Sequence, residues 1–207
     1  MNILVVNSSA NGDASVSSQL ASRFVDSVRE ANPGAEVVIR DVGTSPLPHL
    51  TADTVAAIKG EPATPAELEA RVLSDALIAE LQQADIVLIA SPMYNFGISS
   101  TLKAWFDHVL RAGVTFRYTE NGPEGLLKGK KTVVILSRGG LYSEGPAVAM
   151  DGHEPHLRTM LGFAGLDDVT WIRAEKLAYG PDVAGAAIEA AAAALGGLAR
   201  EALPLAA

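Results

Sequence analysis

The sequence predicts an α/β fold built on a doubly wound, five-stranded parallel sheet with helices on both faces. One pattern in the sequence predicts it, together with a general rule for how strands are connected. Five short apolar runs, rich in β-branched residues, alternate along the chain with longer segments of helical periodicity. Strands joined through intervening helices pair in parallel and connect by right-handed crossovers. No repeat or linker divides the chain, so residues 1–207 are expected to form a single domain.

Composition limits the classes of function. Hydrophobic residues make up 48% of the 207 residues and charged residues 19%, which is typical of a well-buried globular protein. The formal net charge of −8 disfavours a surface for nucleic acid or anionic membrane. The chain has no cysteine, which excludes disulfides, thiolate nucleophiles and cysteine-ligated metal centres. Because the sequence has no basic leader and no apolar run judged long enough to span a bilayer, we expect a cytoplasmic protein.

The first strand, predicted over residues 3–6, leads into a loop made almost wholly of small and hydroxyl side chains. Ser9, Ser15 and Ser17 lie in this loop, which runs straight into a helix that ends before Pro33. A helix N-terminus offers free N–H groups and the positive end of its dipole, and hydroxyls add donors without bulk. The loop therefore suits a phosphate monoester, although it lacks the lysine of a nucleotide P-loop. The alternative is an ordinary capped loop.

The elements in the middle of the chain are predicted from their patterns and caps. A second strand is expected over residues 37–42 and a short helix over residues 52–59. The next helix has Thr64 as its N-cap and Pro65 in its first turn, and Glu67 completes a capping-box pattern with Thr64. This helix leads directly into the third strand.

The third strand, predicted over residues 86–90, is followed by a loop of mixed chemistry. Pro92 ends the strand because it lacks an N–H, and a thioether, a phenol, an amide and a phenyl ring follow at Met93-Tyr94-Asn95-Phe96. Ser99 or Ser100 is expected to cap the next helix. Ligands of open α/β sheets lie beyond the carboxyl ends of the strands, so this loop is placed to meet a flat, partly apolar ligand. The alternative is a packing joint whose aromatic rings fill a gap.

The last part of the chain adds a hairpin and two strands. The step Asn121-Gly122 between two short extended runs predicts a β-hairpin. A fourth strand over residues 131–136 is followed by the pair Gly139-Gly140, which permits close approach of backbone N–H groups to a ligand. The fifth strand is expected over residues 169–174. An alanine-rich helix from Pro181 to about Leu203 closes the fold.

Two strand orders are common among doubly wound sheets, and the hydroxyl-rich first loop favours the flavodoxin-like order 2-1-3-4-5. In that order the switch point between strands 1 and 3 holds FMN, so the phosphate loop and the Met-Tyr-Asn-Phe loop flank one crevice. The histidines form no metal-ligand pattern. We expect His153 and His156 to be a surface pair and His108 to be structural.

Three segments together resemble the FMN-dependent NADH-azoreductases: SPMYNF at 91–96, RAGVTFRYTENGPEG at 111–125 and SRGG at 137–140. The likeness extends over essentially the whole chain. It implies a flavodoxin-like homodimer with one FMN per subunit at the interface. It also implies that quinones and aromatic azo compounds are reduced at the expense of NADH or NADPH by ping-pong, two-electron hydride transfer. Flavin N5 carries the hydride, so the resemblance implies no catalytic side chain and no metal.

The resemblance also implies roles for individual residues. The phosphate would be held by Ser9, Ser15 and Ser17 and by the backbone N–H of Val16, which stands where relatives often have glutamine. The residues implied to line the isoalloxazine are Pro92, Met93, Tyr94, Asn95 and Phe96 on one side and Ser137, Gly139 and Gly140 at the pyrimidine end. Those implied to line the substrate pocket are Tyr118, Phe163 and Tyr142, the first two in part from the other subunit.

Three alternatives stay open from the sequence: a flavodoxin-type electron carrier without its own catalytic pocket, a free-flavin reductase, and a quinone reductase with little azo activity. The hairpin near Tyr118 argues against the carrier, which needs an exposed flavin edge. A phosphoacceptor signalling domain is disfavoured because strands 1 and 3 do not end in clustered carboxylates. Arg40 and Arg117 are candidates for binding the 2′-phosphate of NADPH, or else ordinary surface arginines.

Overall fold

The strands pair in the predicted order. The computed structural model describes residues 1–201, and these contain the following strands: β1 (Asn2–Asn7), β2 (Glu36–Asp41), β3 (Ile86–Pro92), β4 (Phe116–Thr119), β5 (Gly122–Gly125), β6 (Lys131–Ser137) and β7 (Asp168–Ala174). Five of them form one parallel sheet in the order β2-β1-β3-β6-β7, which is 2-1-3-4-5 when only the sheet strands are numbered. The flavodoxin-like topology predicted from the sequence is therefore confirmed.

Helices cover both faces of this sheet. They are α1 (Val16–Ala31), α2 (Val55–Lys59), α3 (Pro65–Gln83), α4 (Ser100–Val109), α5 (Glu154–Ala164) and α6 (Pro181–Glu201). The short helix expected over residues 52–59 begins only at Val55. The predicted end of the last helix, near Leu203, lies outside the described residues.

The sheet separates two apolar cores because successive strand side chains point to opposite faces. Ile3 and Val5 of β1 pack with α1 and α6, whereas Leu4 and Val6 pack with α3, α4 and α5. Every residue of β3 is buried. The carboxyl end of this central strand, at Pro92, is therefore packed between apolar layers on both faces.

Two predicted caps fix the starts of α3 and α4. The Thr64 hydroxyl accepts the Glu67 N–H at 3.3 Å, and the Glu67 carboxylate accepts the Thr64 N–H at 2.9 Å, which completes the capping box. Ser99 caps α4 by accepting the Leu102 N–H at 3.1 Å. Such caps are each worth about 1 kcal/mol.

The predicted hairpin forms and docks on the end of α5. Strands β4 and β5 pair antiparallel, with Phe116 opposite Gly125. A Cβ atom on Gly125 would lie 2.0 Å from the backbone N of Gly165, so only glycine permits this contact. Gly165 has a φ of 90°, which ends α5 in the left-handed conformation that favours glycine.

Helix α6 corrects one expectation from the sequence. Residues Pro181–Arg200 have a mean hydropathy of 1.4 and are long and apolar enough, by length and composition, to cross a membrane. The apolarity of this segment comes from its many alanines, so it does not stand out in the sequence as a run of large apolar residues. In the structure Ala191, Leu195 and Ala199 are buried in the core that α6 shares with α1.

Candidate functional site

The loops that follow β1, β3 and β6 meet at the carboxyl edge of the sheet. The Ser8 N–H donates to the Ala90 carbonyl at 3.2 Å, and the Ser8 hydroxyl donates to the same oxygen at 2.9 Å. On the other side of β3, the Met93 N–H donates to the Ser137 carbonyl at 2.9 Å. The crevice predicted between the first and third strands is therefore bounded by three loops that are hydrogen-bonded to one another.

The first loop leaves the N–H groups at the start of α1 without intrahelical acceptors. The first hydrogen bond of the helix is donated by Gln19 to the Ser15 carbonyl at 3.0 Å, so Val16, Ser17 and Ser18 precede it. The hydroxyls of Ser15 and Ser17 lie 3.0 Å apart, and both residues are buried. The end of the helix thus presents N–H donors and the positive end of a helix dipole, which is suited to a phosphate group.

Tyr94 connects the loop after β3 to the loop after β1. Its hydroxyl accepts the Ala10 N–H at 3.1 Å and lies 3.3 Å from the hydroxyl of Ser9, which itself accepts the Asn11 N–H at 3.2 Å. The phenol therefore holds these two loops together. A sequence pattern does not reveal this contact, because 85 residues separate Ser9 from Tyr94.

The loop after β3 contains a strained two-residue turn. Tyr94 and Gly97 exchange hydrogen bonds of 2.9 and 3.0 Å, and the central residues Asn95 and Phe96 have φ values of 45° and 71°. Positive φ at both central positions is the signature of a type I′ turn, in which a phenylalanine is unfavourable. Strain of this kind is concentrated at functional sites, and here it occurs at Phe96, whose side chain is 44% exposed.

The loop after β6 presents a row of N–H groups. The carbonyls of Arg138, Gly139 and Gly140 accept hydrogen bonds of 3.2, 3.0 and 3.0 Å from Leu177, Ala178 and Lys176, respectively. In a trans peptide the N–H points away from the preceding carbonyl. The N–H groups of residues 139–141 therefore point away from residues 176–178, and within the described residues they have no hydrogen-bond acceptor.

The aromatic residues predicted to line a substrate pocket form two separate groups. Tyr142 lies edge-to-face with Phe96, with ring centroids 6.2 Å apart, and its ring lies 3.0 Å from where a Cβ on Gly140 would stand. Tyr118 and Phe163 instead both contact Phe116, at 5.6 and 4.4 Å between centroids. Tyr118 is 74% exposed. Among the ring pairs of the described residues, none joins the two groups.

A buried ion network behind the β6 loop is absent from the sequence predictions. The Arg138 guanidinium is fully buried and pairs with Asp151 at 3.2 Å, Glu154 at 3.5 Å and Glu175 at 3.1 Å. Arg158 and Arg173 each pair with Glu154 at 2.6 Å. Only one signal in the sequence points to it: Arg138 follows a buried strand directly and precedes two glycines.

The prediction for His153 is wrong. Instead of forming a surface pair with His156, His153 is fully buried, with Nε2 2.8 Å from the Ser91 hydroxyl, whereas His156 is half-buried. Burial, followed by the nearby Arg138 charge, lowers the pKa of His153 to about 3. The imidazole is therefore neutral and holds the start of α5 against the end of β3.

Other polar side chains have structural partners. His108 is buried, with Nε2 2.9 Å from the Pro48 carbonyl oxygen, in agreement with a structural role. The two arginines considered for a 2′-phosphate are both paired, Arg40 with Glu80 and Arg117 with Glu124 at 2.7 Å.

Together these groups define what the crevice can bind. At one end, the N-terminus of α1 and neighbouring hydroxyls accommodate an anion without any side-chain cation. Phe96 and Tyr142 provide apolar surface, and the free N–H groups of residues 139–141 face any carbonyl-rich edge. A ligand with a phosphate, a flat ring system and hydrogen-bond acceptors at its far edge, as in FMN, fits this donor set.

Comparison with known proteins supports the same interpretation. Residues 1–198 match the Flavodoxin_2 family model, described as a flavodoxin-like fold. A relative from Hyphomonas neptunium, named FMN-dependent NADH:quinone oxidoreductase, is 58% identical over 190 residues, which are 92% of this chain and 91% of the relative. A protein of the same name from Escherichia coli K12 is 49% identical over 93% of this chain and 96% of its own length.

Solved structures resemble the whole chain as well. An azoreductase from Bacillus anthracis strain Sterne has a TM-score of 0.89 at 30% identity, covering 97% of this chain and 99% of its own. An FMN-dependent NADH-azoreductase from the Ames Ancestor strain, in complex with FMN, has a TM-score of 0.85 at 25% identity, covering 96% of this chain and 100% of its own.

Proposed function

The chain belongs to the Flavodoxin_2 family, and on this premise we propose that it reduces quinones and aromatic azo compounds by ping-pong, two-electron transfer from NADH or NADPH. The coarser statement, that it is an FMN-dependent NADH:quinone oxidoreductase, follows from relatives of that name at 58% and 49% identity. The observation that carries the proposal is the row of N–H groups at residues 139–141, which have no hydrogen-bond acceptor within the described part of the chain.

We assign the phosphate of FMN to the first loop. The donors would be the N–H groups of Val16 and Ser17 and the hydroxyls of Ser9, Ser15 and Ser17. Since this loop supplies no cation, binding would depend on the helix dipole and on hydrogen bonds to the charged phosphate, which are stronger than neutral ones. Tyr94 would support this end by holding Ser9 and Ala10 in place.

The ring system is assigned to the crevice between the loop after β3 and the loop after β6. The proposed lining consists of Pro92, Met93, Tyr94, Asn95 and Phe96 on one side and Ser137, Gly139 and Gly140 at the pyrimidine end. When bound, FMN supplies hydride and electron transfer between the nicotinamide and the acceptor. The N–H groups of residues 139–141 would stabilise negative charge at the edge that they face, as the donors of an oxyanion hole do.

The acceptor pocket is proposed to involve two copies of the chain. Tyr142 stands beside Phe96, but Tyr118 and Phe163 belong to a separate aromatic group around Phe116. A tyrosine ring left 74% exposed on a docked hairpin is well suited to a contact with a second subunit. We therefore infer a homodimer in which Tyr118 and Phe163 of one subunit line the substrate pocket of the other.

Two broader assignments complete the proposal. Residues 1–207 are taken as one functional unit, and the enzyme is assigned to the cytoplasm. A chain without cysteine has no disulfide to maintain, which suits a reducing compartment, and the acidic net charge favours small-molecule substrates over nucleic acid.

An absorption spectrum tests the proposal directly. Purified protein loaded with FMN is expected to bleach in the visible region on anaerobic addition of NADH, and added quinone should restore the colour without a partner reductase. A flavin spectrum that NADH leaves unchanged would instead support an electron carrier. Protein that releases reduced flavin before quinone reacts would support a free-flavin reductase. Failure to take up FMN would overturn the cofactor assignment.

A further inference from the structure

Arg138 is connected to both ends of one surface segment, residues 142–151, called here the 142–151 loop. At the first end, the Glu175 carboxylate accepts the Arg138 Nη1–H at 3.1 Å, the Tyr142 N–H at 2.9 Å and the Ser143 N–H at 3.1 Å. A further hydrogen bond joins the Ser143 hydroxyl to the same carboxylate. Glu175 therefore clamps the start of the loop to the buried guanidinium.

The second end is held in the same way by Asp151. One carboxylate oxygen accepts the N–H groups of His153 and Glu154 at 2.8 and 3.1 Å, and the other lies 3.2 Å from Arg138 Nη2. Thus two carboxylates, each fixed to backbone N–H groups at one end of the loop, converge on one buried arginine. Burial alone would raise the pKa of Glu175, but hydrogen bonds from Ser143, Tyr142 and Arg138 hold it below its usual range.

The loop held in this way borders the proposed acceptor pocket. Tyr142 lies edge-to-face with Phe96 at its first end. Just after its second end, a Cβ on Gly152 would lie 3.0 Å from the Phe96 carbonyl oxygen. Between the ends, Val148 and Met150 are 48% and 51% exposed. The loop thus forms a partly apolar rim beside Phe96, whose position depends on its two anchors.

We propose that Arg138 is a positioning residue that pins both ends of the 142–151 loop, and that the loop is the wall of the pocket that contacts bulky acceptors. The inference rests on the proposed function, because it assigns the loop to the acceptor site. Arg138 itself is buried behind the loop and touches no substrate. It acts through Glu175 and Asp151 on the placement of Tyr142 and of the rim.

The variant Glu175→Ala tests the pin. It removes the anchor of Tyr142 and Ser143 while Arg138 keeps Asp151 and Glu154, whereas Arg138→Met would leave several carboxylates without their buried partner and threaten folding. Arg158→Met is the matched control, since Arg158 belongs to the same network through Glu154 but contacts neither anchor. Glu175→Gln is the conservative variant, because its amide oxygen still accepts N–H groups.

The first measurement is amide hydrogen exchange of the loop. Glu175→Ala is expected to increase the exchange of Tyr142 and Ser143 at least roughly tenfold, which corresponds to the loss of about 1.4 kcal/mol of local protection. Arg158→Met should leave it unchanged, and Glu175→Gln should restore most of the protection. If the amides of Tyr142 and Ser143 exchange at the wild-type rate in Glu175→Ala, the proposal that this carboxylate holds the loop in place is refuted. This readout needs no turnover, so it stands even if the proposed function fails.

The second measurement compares two acceptors in the FMN-loaded enzyme, a small benzoquinone and a bulky azo dye. Glu175→Ala is expected to raise KM for the dye at least about fivefold with little change in kcat, and to leave both constants for benzoquinone within about twofold. If Glu175→Ala has the same KM as the wild type for the dye, while the wild type reduces both acceptors, the loop does not form a wall of the acceptor pocket. Wild-type enzyme that reduces neither acceptor would refute the proposed function instead.

Discussion

The imidazole Nε2 of His153 lies 2.8 Å from the hydroxyl of Ser91, and both residues are fully buried. Ser91 is the last residue before Pro92 in the central strand, and His153 immediately precedes α5. A contact between residues 62 positions apart thus joins the end of β3, just before the Met93–Phe96 loop, to the start of α5. Because the histidine is neutral when buried, this contact has a consequence for stability in acid.

Stability is expected to fall as the pH drops below about 6, in part because of His153. The pKa of His153 is lowered from 6.5 to about 3 in the folded protein, mainly by burial. Between these values the unfolded chain binds a proton that the folded chain does not, so one such group contributes a slope of up to about 1.4 kcal/mol per pH unit. Urea unfolding at a series of pH values measures it.

The matched variants for this prediction are His153→Gln and His49→Gln. His153→Gln should remove this part of the slope, whereas His49→Gln, at an exposed position, should retain the wild-type slope. Equal slopes in all three proteins would show that His153 does not account for the acid sensitivity.

Tyr94→Phe is expected to weaken FMN binding roughly three- to tenfold, because a loss of 0.5–1.5 kcal/mol is typical of one hydrogen bond. The substitution removes the hydroxyl that accepts the Ala10 N–H and meets Ser9. Titration by quenching of flavin fluorescence measures the affinity. Tyr179→Phe, at a 59% exposed ring outside the crevice loops, serves as control, and equal affinities would argue against a role for the Tyr94 tie.

Gly43→Ala is expected to displace the backbone of Ser9 in the loop after β1, where we propose that phosphate binds. A Cβ at residue 43 would lie 2.1 Å from the Ser9 carbonyl oxygen and 2.7 Å from its N, so the Ser9 backbone must move. We expect a loss of about 1–3 kcal/mol in the free energy of unfolding, as in overpacked sites, and a clear loss of FMN affinity. Thermal melts and fluorescence titration measure the two effects.

Gly197→Ala is the control for that substitution. Its Cβ would meet nothing within 4 Å, and the position lies inside α6, so helix propensity predicts a gain of up to about 1 kcal/mol with unchanged FMN affinity. Wild-type FMN affinity in Gly43→Ala would show that Ser9 does not take part in binding.

Tyr118→Ala is expected to lower kcat/KM for quinones about tenfold, or ~1.4 kcal/mol, without lowering Tm. The ring is 74% exposed in one chain, so its removal costs little stability, whereas the proposal places it in the pocket of a second subunit. Tyr179→Ala is the matched exposed control. Sedimentation velocity of the wild type should give a dimer; a monomer with full activity would contradict the shared pocket.

Local patterns in the sequence are enough to predict the fold and the positions of the loops that bear chemistry. Periodicity identified the strands because a parallel sheet buries both faces of its strands, and the local rules for caps identified Thr64 and Ser99. The Asn121-Gly122 step identified the hairpin, although its two-residue turn lies one position earlier, at Glu120-Asn121. Such signals lie within a few residues of one another, so a sequence pattern contains them. The resemblance in the segments at 91–96, 111–125 and 137–140 supplied the family.

Which of these loops touch and which polar groups are buried depends on long-range packing, which the folded structure reveals. Sequence patterns place His153 at the surface, assign no role to Arg138 and do not reveal the apolar length of α6. In the folded chain His153 meets Ser91, and Arg138 meets Asp151, Glu154 and Glu175. These partners are 13 to 62 positions apart in the chain. Burial and electrostatic pairing depend on such distant contacts, and no local pattern encodes them.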